Sequence, residues 1–392
     1  MTPAARVQSA IELLDAIVAA ARDDGAAADT LIARYFKTRR YAGSKDRRAV
    51  RDLVYRAIRA FGERPASGRA AMVALADGDG ELAALFDGAG HGPAPIAPDE
   101  PRAESGLLPR WIDPVLADLL DEAEKAALLD RAPLHVRVRP ESRDAVAAQW
   151  PEAMPIPGTR AGYALPAGTD VESAPLWQAG AVEVQDAGSQ IIAQACGAAP
   201  GLTVLDLCAG AGGKTLALAA DMGGAGRLIA ADTARDRLAR LTPRAARAGI
   251  GGLVETLLLD PDREAGALAP LEGACDVVLI DAPCSGSGTW RRNPEARWRL
   301  TPARLDRVVA LQARLLRLAA PLVKPGGRLV YAVCSLIDRE GADQIQQFVS
   351  SGGLWRGIRP EPAGRVRGEG TLLTPHHDGT DGFYFAVLQK QC

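Results

Sequence analysis

The chain contains 392 residues with a formal net charge of −2, and 47% of them are hydrophobic and 24% charged, which is typical of a soluble globular protein with two or three domains. It has no apolar run near the roughly 20 residues that a membrane helix needs, and its N-terminus lacks the zones of a secretory signal, so we expect a cytoplasmic protein with no membrane partner. The near-zero net charge argues against a uniformly basic nucleic-acid-binding chain.

Residues 1–95 have the pattern of an all-helical domain. Ile11 and Leu14 belong to an apolar face at helical spacing, and residues 45–61 form a second periodic segment. Ser44 is the expected N-cap of that second helix, because a serine hydroxyl can accept a hydrogen bond from the first helical turn.

A basic cluster lies within this helical region, over residues 34–59. Only Asp46 and Asp52 oppose its ten basic residues. A solvated helix face and an RNA-binding face are equally compatible with such a cluster. The basic residues are Arg34, Lys37, Arg39, Arg40, Lys45, Arg47, Arg48, Arg51, Arg56 and Arg59.

A segment rich in Gly, Ala and Pro follows, over residues 62–106, and its last part, 91–106, is the expected linker. Beyond it, short strand-like runs alternate with helical segments, which predicts a small α+β domain over 107–185. The strand-like runs cover 134–139, 162–165 and 181–185, and the main helical run covers 113–129.

The remainder, 186–392, repeats a strand–helix pattern. Its strand-like runs are almost continuously apolar, as buried parallel strands are, and the repeat predicts an α/β domain with a doubly wound parallel sheet. One long helix, 302–323, has Pro302 at its first position and Lys-Pro-Gly-Gly at its expected end. The strands are expected at 203–208, 226–232, 253–260, 275–283 and 327–335.

A glycine-rich turn follows the first of these strands and opens a helix. Glycines let the backbone pass close to a ligand, and the N–H groups of a helix start can face it, although a tight turn without a ligand has the same pattern. Asp232 and Asp260 end the next two strands, where carboxylates can accept hydrogen bonds from ribose hydroxyls and an adenine amino group. The spacing matches neither a Walker A loop nor the dinucleotide pattern, which disfavours ATP and NAD and favours S-adenosylmethionine. The turn comprises Cys208, Ala209, Gly210, Ala211, Gly212, Gly213 and Lys214.

Two cysteines follow the fourth and fifth strands, at the same edge of the sheet. Asp281 ends the fourth strand shortly before Cys284, and Cys334 ends the fifth. A thiolate that adds to carbon 6 of a cytosine makes carbon 5 nucleophilic toward a methyl sulfonium, and a nearby acid can hold or protonate N3. Either cysteine alone is more typical of a small buried hydrophobe, and the spacing does not decide which thiol attacks.

The six cysteines form no Cys-x-x-C pair, and the chain has only four histidines. A zinc site is therefore not expected, and neither is a disulfide framework. We expect no metal partner and a monomeric chain.

By the order of its motifs the chain resembles the Nop/Sun family of RNA cytosine-5 methyltransferases, especially its bacterial ribosomal-RNA branch. The resemblance covers about 107–392 strongly. It implies a Rossmann-like S-adenosylmethionine-dependent domain with a small RNA-recognition-like domain before it. Besides the turn and the two cysteine motifs, it includes Leu108-Pro-Arg-Trp111, Arg137-Val138, Gln185-Asp186, Ser189-Gln190 and Gly379-Thr-Asp-Gly-Phe-Tyr384.

The resemblance also implies residue roles. Cys208 to Lys214 would form the cofactor loop, and Asp232 and Asp260 would bind the ribose and the adenine. Asp281 would lie between the cofactor and the target base. Cys334 would be the nucleophile and Cys284 would assist release of the methylated RNA.

The N-terminal helices more weakly resemble an antitermination-factor-like RNA-binding domain, which implies RNA contact for the basic cluster and small-subunit (16S) ribosomal RNA as substrate. Trp290, Arg291, Arg292, Arg297 and Trp298 follow the Pro-Cys turn and are candidates to line the RNA path.

The chain departs from the family pattern at four positions. Gly210 and Ala211 replace Ala-Pro in the cofactor loop, Val333 replaces a threonine before Cys334, and Gly341 replaces an asparagine. Three alternatives stay open: a methyltransferase acting on another RNA such as tRNA, one acting on a protein or small molecule, and a non-enzymatic RNA-binding ribosome assembly factor with a degenerate methyltransferase fold.

Overall fold

A computed structural model describes residues 1–352, 354–359 and 364–391, and the chain forms two compact units. The helical unit combines Met1–Arg131 with Thr289–Pro302. The sheet unit combines Ala132–Gly288 with the chain from Ala303 onward. The sequence pattern gave no sign that residues 289–302 belong with the N-terminal helices, and the three-domain boundaries of 1–95, 107–185 and 186–392 stay a prediction.

The helical unit bears out the helical pattern of the N-terminal region, because Ile11 and Leu14 are buried in its core. Ser44 is the first residue of the third helix rather than its cap; Gly43 is the cap, and its N–H donates to the Asp46 carboxylate at 3.2 Å. The helices are α1 Pro3–Arg22, α2 Ala28–Thr38, α3 Ser44–Ala60, α4 Gly68–Ala76, α5 Gly80–Ala83 and α6 Glu122–Ala127.

The continuous helix expected over 113–129 is wrong. A single 3-10 turn, Asp113–Val115, is followed by one bridge residue and a further turn, and α6 begins separately after Asp121. Pro114 lacks an N–H group and is tolerated only in a first turn. The Asp121 carboxylate accepts the Glu124 N–H at 2.9 Å and so starts a new helix.

A four-stranded antiparallel sheet forms the small α+β part of the sheet unit, in the strand order β2-β3-β1-β4. One helix joins β1 to β2 and another joins β3 to β4, which gives the β-α-β-β-α-β order of RNA-recognition-like domains. The predicted small domain is therefore confirmed in kind. Its strands are β1 Leu134–Val138, β2 Met154–Pro155, β3 Gly162–Leu165 and β4 Val182–Val184, and its helices are α7 Arg143–Gln149 and α8 Pro175–Gln178.

The large sheet of the sheet unit contains nine strands in the described part of the chain. The strands are β5 Thr203–Asp206, β6 Arg227–Asp232, β7 Val254–Leu258, β8 Cys275–Asp281, β9 Val323–Val333, β10 Trp355–Ile358, β11 Arg365–Arg367, β12 Gly370–Leu373 and β13 Phe383–Lys390. The helices are α9 Ala187–Ala195, α10 Gly213–Asp221, α11 Arg235–Leu238, α12 Leu241–Arg247, α13 Glu264–Leu268, α14 Pro302–Ala319, α15 Ala342–Ser350 and α16 Pro375–Asp378.

The strands β7-β6-β5-β8-β9 run parallel, as the apolar strand–helix repeat predicted. The expectation of a wholly parallel sheet was incomplete, because β13 pairs antiparallel with β9, and β10 and β12 pair antiparallel with β13. The expected helix end was also misplaced. The Lys-Pro-Gly-Gly segment lies inside β9 as a bulge, since Cys275 pairs with Val323 but Val277 pairs with Arg328.

Candidate active site

A cavity of about 420 Å³ lies at the carboxyl ends of the parallel strands, within the sheet unit. This is where ligands bind in open α/β sheets, and the volume suits a small organic molecule. Five of the expected site residues line it: Cys208, Asp232, Asp281, Cys284 and Cys334.

The cofactor loop lies between β5 and α10 and depends on glycine at two positions. Gly210 has φ +55° and Gly212 has φ +83°, a left-handed conformation that other residues adopt only at a cost. The Gly210 N–H donates to the Asp232 carboxylate at 2.7 Å. This hydrogen bond joins the loop to the end of β6.

Asp232 lies in the cavity wall and is the strand-end acceptor expected for a ribose. One carboxylate oxygen accepts the Gly210 N–H and the other accepts the Ala234 N–H, each at 2.7 Å. A carboxylate offers about four lone-pair positions, so Asp232 can still accept hydrogen bonds from a ligand. Asp260, the acceptor expected for the adenine, is exposed and does not line the cavity.

Lys214 is the buried cation behind this loop. Its ammonium group donates to the Asp281 carboxylate at 2.8 Å and to the Ser189 hydroxyl at 3.2 Å. Burial alone lowers the pKa of Lys214, but the Asp281 carboxylate raises it, and the net shift is upward. Lys214 therefore stays charged and orients Asp281, a side chain that lines the cavity and is 34% exposed.

The two cysteines meet in the cavity, with their sulfur atoms 3.2 Å apart. Hydrogen bonding to the Cys334 sulfur raises the pKa of Cys284 well above its usual value, and burial adds to this shift. This shift favours the thiol form of Cys284, which is the form that can donate a hydrogen bond to the Cys334 sulfur.

Burial keeps the other described cysteines in their neutral form. It raises the pKa of Cys275 to about 11 and the pKa values of Cys196 and Cys208 further still. These thiols are poor nucleophiles at neutral pH. Cys392 lies outside the described residues.

Several motif residues connect the small sheet to the cofactor loop. Arg137 on β1 donates to the Gln185 side chain at 2.9 Å, and Gln185 donates to the Gly213 carbonyl at 3.1 Å. The Asp186 carboxylate accepts the Asp381 N–H at 3.1 Å. The Gln185 contact thus joins β1 to the start of α10, and the Asp186 contact joins the start of α9 to the segment that contains Asp381.

Comparison with known proteins identifies the family. Residues 195–389 match the family described as 16S rRNA methyltransferase RsmB/F. Rv1407 of Mycobacterium tuberculosis, which carries the name of a methyltransferase, is 36% identical over 326 residues, or 76% of this chain and 67% of the relative. The chain belongs to the RsmB/F methyltransferase family.

Other RsmB/F relatives are similar over a shorter stretch. The ribosomal RNA small subunit methyltransferase B of Thermus thermophilus is 36% identical over 214 residues, which cover 53% of this chain and 50% of that protein. The chain spans about half the length of the curated relatives with this name. A crystal structure of a methyltransferase homologue from Pyrococcus horikoshii has a TM-score of 0.60 and 26% identity, and covers 68% of this chain and 90% of that one.

This is a family of S-adenosylmethionine-dependent methyltransferases, which agrees with the cofactor expected from the sequence. The cavity fits the group. Asp232 offers an acceptor for ribose hydroxyls, and Leu311, Leu315 and Leu318 of α14 supply an apolar wall for a flat base. Individual cofactor contacts at Ala209 to Lys214 stay a prediction.

The aromatic and basic residues after the Pro-Cys turn do not form an exposed RNA path. Trp290 and Arg297 are fully buried, and Trp298 is 4% exposed in the core of the helical unit. The Arg297 guanidinium donates to the carbonyls of Ile58 and Phe61 at 2.6 and 3.0 Å. It thus satisfies carbonyl groups at the end of α3. Arg291 is buried as well, and Arg292 is half-buried.

Sequence reasoning missed three charged residues that line the cavity: Arg237, Glu264 and Arg314. Arg314 donates to both oxygens of Glu264, at 2.8 and 2.9 Å. The pair joins α13 to α14 across 50 residues of sequence, so no local pattern could have revealed it. Among residues 1–352, 354–359 and 364–391, no group of three or more His, Cys, Asp or Glu could hold a metal ion, and no helix is long and apolar enough to span a membrane.

Proposed function

We propose that the chain methylates carbon 5 of a cytosine in small-subunit ribosomal RNA, in the cytoplasm, with Cys334 as the covalent nucleophile. The observation that carries this proposal is the Cys284–Cys334 pair, 3.2 Å apart, in a cavity that Asp232 and Asp281 also line. A methyltransferase that acts without a covalent adduct has no need of two thiols at this point.

The chain's own residues account for the attack on carbon 6, the proton at N3 and the release of the sulfur. The Cys334 thiolate forms a bond to carbon 6, and the electron pair of the 5,6 double bond moves to carbon 5 and, through carbon 4, to N3, which makes carbon 5 nucleophilic. Asp281, oriented by Lys214 and protonated from the solvent, would donate its proton to N3 as charge develops there. When bound, S-adenosylmethionine supplies the electrophilic methyl group. A base then removes the carbon 5 proton and the Cys334 sulfur leaves, assisted by the hydrogen bond from Cys284.

The basic cluster supports RNA as the partner. Asp46, one of its two acids, is buried and accepts hydrogen bonds from Arg6 and Gly43, so it does not offset the exposed cations. Phosphate contacts of this kind give affinity without reading sequence. The target cytosine must be flipped or single-stranded, because its ring is out of reach within a helix. The exposed cations of the cluster are Arg34, Lys37, Arg40, Lys45, Arg47, Arg48, Arg51 and Arg56.

Methylation of unmethylated small-subunit ribosomal RNA, free or in assembled subunits, tests the proposal. Bisulfite sequencing should find a methylated cytosine after incubation with the chain and S-adenosylmethionine. Cys334→Ala should lower the rate by at least about 10³-fold, the scale seen when a covalent nucleophile is lost, while calorimetry should find cofactor binding unchanged. Cys275→Ala, which removes a buried thiol at the far end of β8, is the matched control.

Three outcomes of this experiment would count against the proposal. A normal rate for Cys334→Ala would overturn the covalent mechanism. Methylation of tRNA but not of ribosomal RNA would overturn the substrate class. No binding of S-adenosylmethionine at millimolar concentration would favour a non-enzymatic assembly factor.

A further inference from the structure

A cluster of polar side chains lies beside the two cysteines and takes no part in the mechanism above. Glu340, Gln312, Ser287 and Ser335 are buried, and Glu340, Gln312 and Ser335 are completely inaccessible to solvent. A buried carboxylate is costly unless donors surround it. The Glu340 carboxylate must therefore be surrounded by hydrogen-bond donors.

Glu340 bonds to the residues that directly follow each cysteine. One carboxylate oxygen accepts the Ser285 N–H at 2.8 Å, and the other accepts the Ser335 hydroxyl. The Gln312 side chain donates both to the first oxygen at 3.0 Å and to the Pro283 carbonyl at 2.9 Å. A single carboxylate thus joins the Cys284 loop, the Cys334 loop and α14.

The serine hydroxyls extend this connection between the loops. Ser335 Oγ lies 3.2 Å from Ser285 Oγ and 3.1 Å from Ser287 Oγ. Ser287 Oγ accepts the Leu336 N–H at 2.9 Å, so it also spans the two loops. Several hydrogen bonds thus link the two loops, and most of the partners are buried, which favours a single arrangement.

The backbone of Glu340 is also held in place by a hydrogen bond. The Tyr331 hydroxyl, at the buried end of β9, donates to the Glu340 carbonyl at 2.6 Å. This hydrogen bond ties the Glu340 backbone to β9, the strand that ends just before Cys334, and the Glu340 carboxylate reaches from there to the loop that carries Cys284.

We propose that Glu340 is a positioning residue that keeps the Cys284 loop against the Cys334 loop, so that the two sulfur atoms stay within hydrogen-bond distance. The proposal deepens the proposed function of the same site and rests on it for its effect on turnover. Its effect on thiol reactivity does not depend on the identity of the RNA.

The electrostatic environment of Cys284 agrees with this arrangement. The hydrogen bond to Cys334 and burial are the main causes of the raised pKa of Cys284, and the negative charge of Glu340 contributes in the same direction. Glu340 thus favours the thiol form of Cys284, the form that can donate to Cys334.

Site-resolved alkylation of the full chain tests the proposal without RNA. Iodoacetamide labelling followed by mass spectrometry measures the rate at Cys334 alone. Glu340→Ala should slow it about fivefold to tenfold at pH 7, because the thiolate loses its donor. Glu340→Gln, which keeps the shape and one acceptor oxygen, should restore part of the rate. The control is Gln344→Ala, which removes a buried side chain that donates to Val309 outside the cluster.

Turnover provides the second measurement. Glu340→Ala should lower kcat for RNA methylation by about 10²-fold, with KM and cofactor affinity within about threefold of the wild-type values. If Glu340→Ala does not fold, Ser335→Ala removes one link from the same cluster and should shift both measurements in the same direction by a smaller factor.

Wild-type alkylation and turnover in the folded Glu340 or Ser335 variants would overturn the positioning role. Slowed alkylation in a chain whose wild type methylates no RNA would leave the positioning role intact and contradict the proposed function instead.

Discussion

The two halves of the cavity edge hold their polar groups in different ways. In the cofactor half, at the ends of β5 and β6, backbone N–H groups satisfy Asp232, which remains in the cavity wall with acceptor capacity left over. In the cysteine half, at the ends of β8 and β9, side chains bond to one another, and Glu340 and Ser335 are fully buried. The first arrangement suits a ligand that enters and leaves, and the second fixes the distance between reacting atoms.

Among the changes that compare the two halves, loss of Cys284 should produce the largest effect, and it tests whether the cysteine half is built for covalent chemistry. In Cys284→Ala, Cys334 can still bond to carbon 6, but the adduct loses the donor that assists release. We expect a covalent RNA–protein adduct that survives denaturing electrophoresis, and a turnover rate at least about 10²-fold below wild type.

The adduct must contain Cys334 to support this interpretation. The double variant Cys284→Ala with Cys334→Ala should form none, and Cys275→Ala should turn over like the wild-type chain. If Cys284→Ala turns over at the wild-type rate and shows no slowly migrating RNA–protein band on the gel, Cys284 has no role in release of the methylated RNA.

The pH dependence of stability tests the buried part of the cofactor half, at the carboxyl end of β5. Asp206, at the end of β5, is 1% exposed, and burial raises its pKa from 3.8 to about 7 although Thr215 donates to it at 2.7 Å. Because the folded-state pKa is the higher one, this group's contribution to stability is fully present below about pH 4 and is lost as pH rises through 7.

We therefore expect Asp206→Asn to remove about 2–3 kcal/mol of the fall in unfolding free energy between pH 5 and pH 8. Urea unfolding followed by tryptophan fluorescence measures this. Asp236→Asn, at an exposed position on α11, is the control, and its unfolding free energy should depend on pH as that of the wild-type chain does. Identical slopes for wild type and Asp206→Asn would show that this carboxyl is ionised in the folded chain.

Periodicity and strand ends account for what the sequence predicted correctly. The parallel strands are apolar along their length, and Asp232, Asp281 and Cys334 lie at or just beyond strand ends, where the topology brings them together. Such positions depend on local pattern and on the rule that parallel strands share one edge.

The failures share a different cause, because they depend on contacts between distant segments. Trp298 and Arg297 look like RNA-binding residues until the core of the helical unit and the end of α3 are known. Glu264 lines the cavity through its pairing with Arg314, which is 50 residues away in sequence. The spacing of apolar residues along the sequence does not reveal contacts between such distant segments.

The smallest effect is expected in the cofactor loop, where backbone conformation rather than a side-chain network defines the site. A Cβ at Gly212 would lie 2.2 Å from the Leu241 side chain, at a φ of +83°. Gly212→Ala should therefore weaken S-adenosylmethionine binding by about 1–2 kcal/mol, or roughly fivefold to thirtyfold. Calorimetry measures this directly.

Gly213→Ala is the matched control, because Gly213 is the first residue of α10 and a Cβ there meets nothing within 4 Å. Its affinity should stay within about twofold of wild type, since the left-handed cost does not arise there. Equal losses at both positions would mean that any added methyl group blocks the ligand. A loss of affinity confined to Gly212 would mean that the left-handed turn of the loop holds the backbone in the conformation that binds the cofactor. The cofactor half would then be preorganised by backbone conformation, and the cysteine half by hydrogen bonds between side chains.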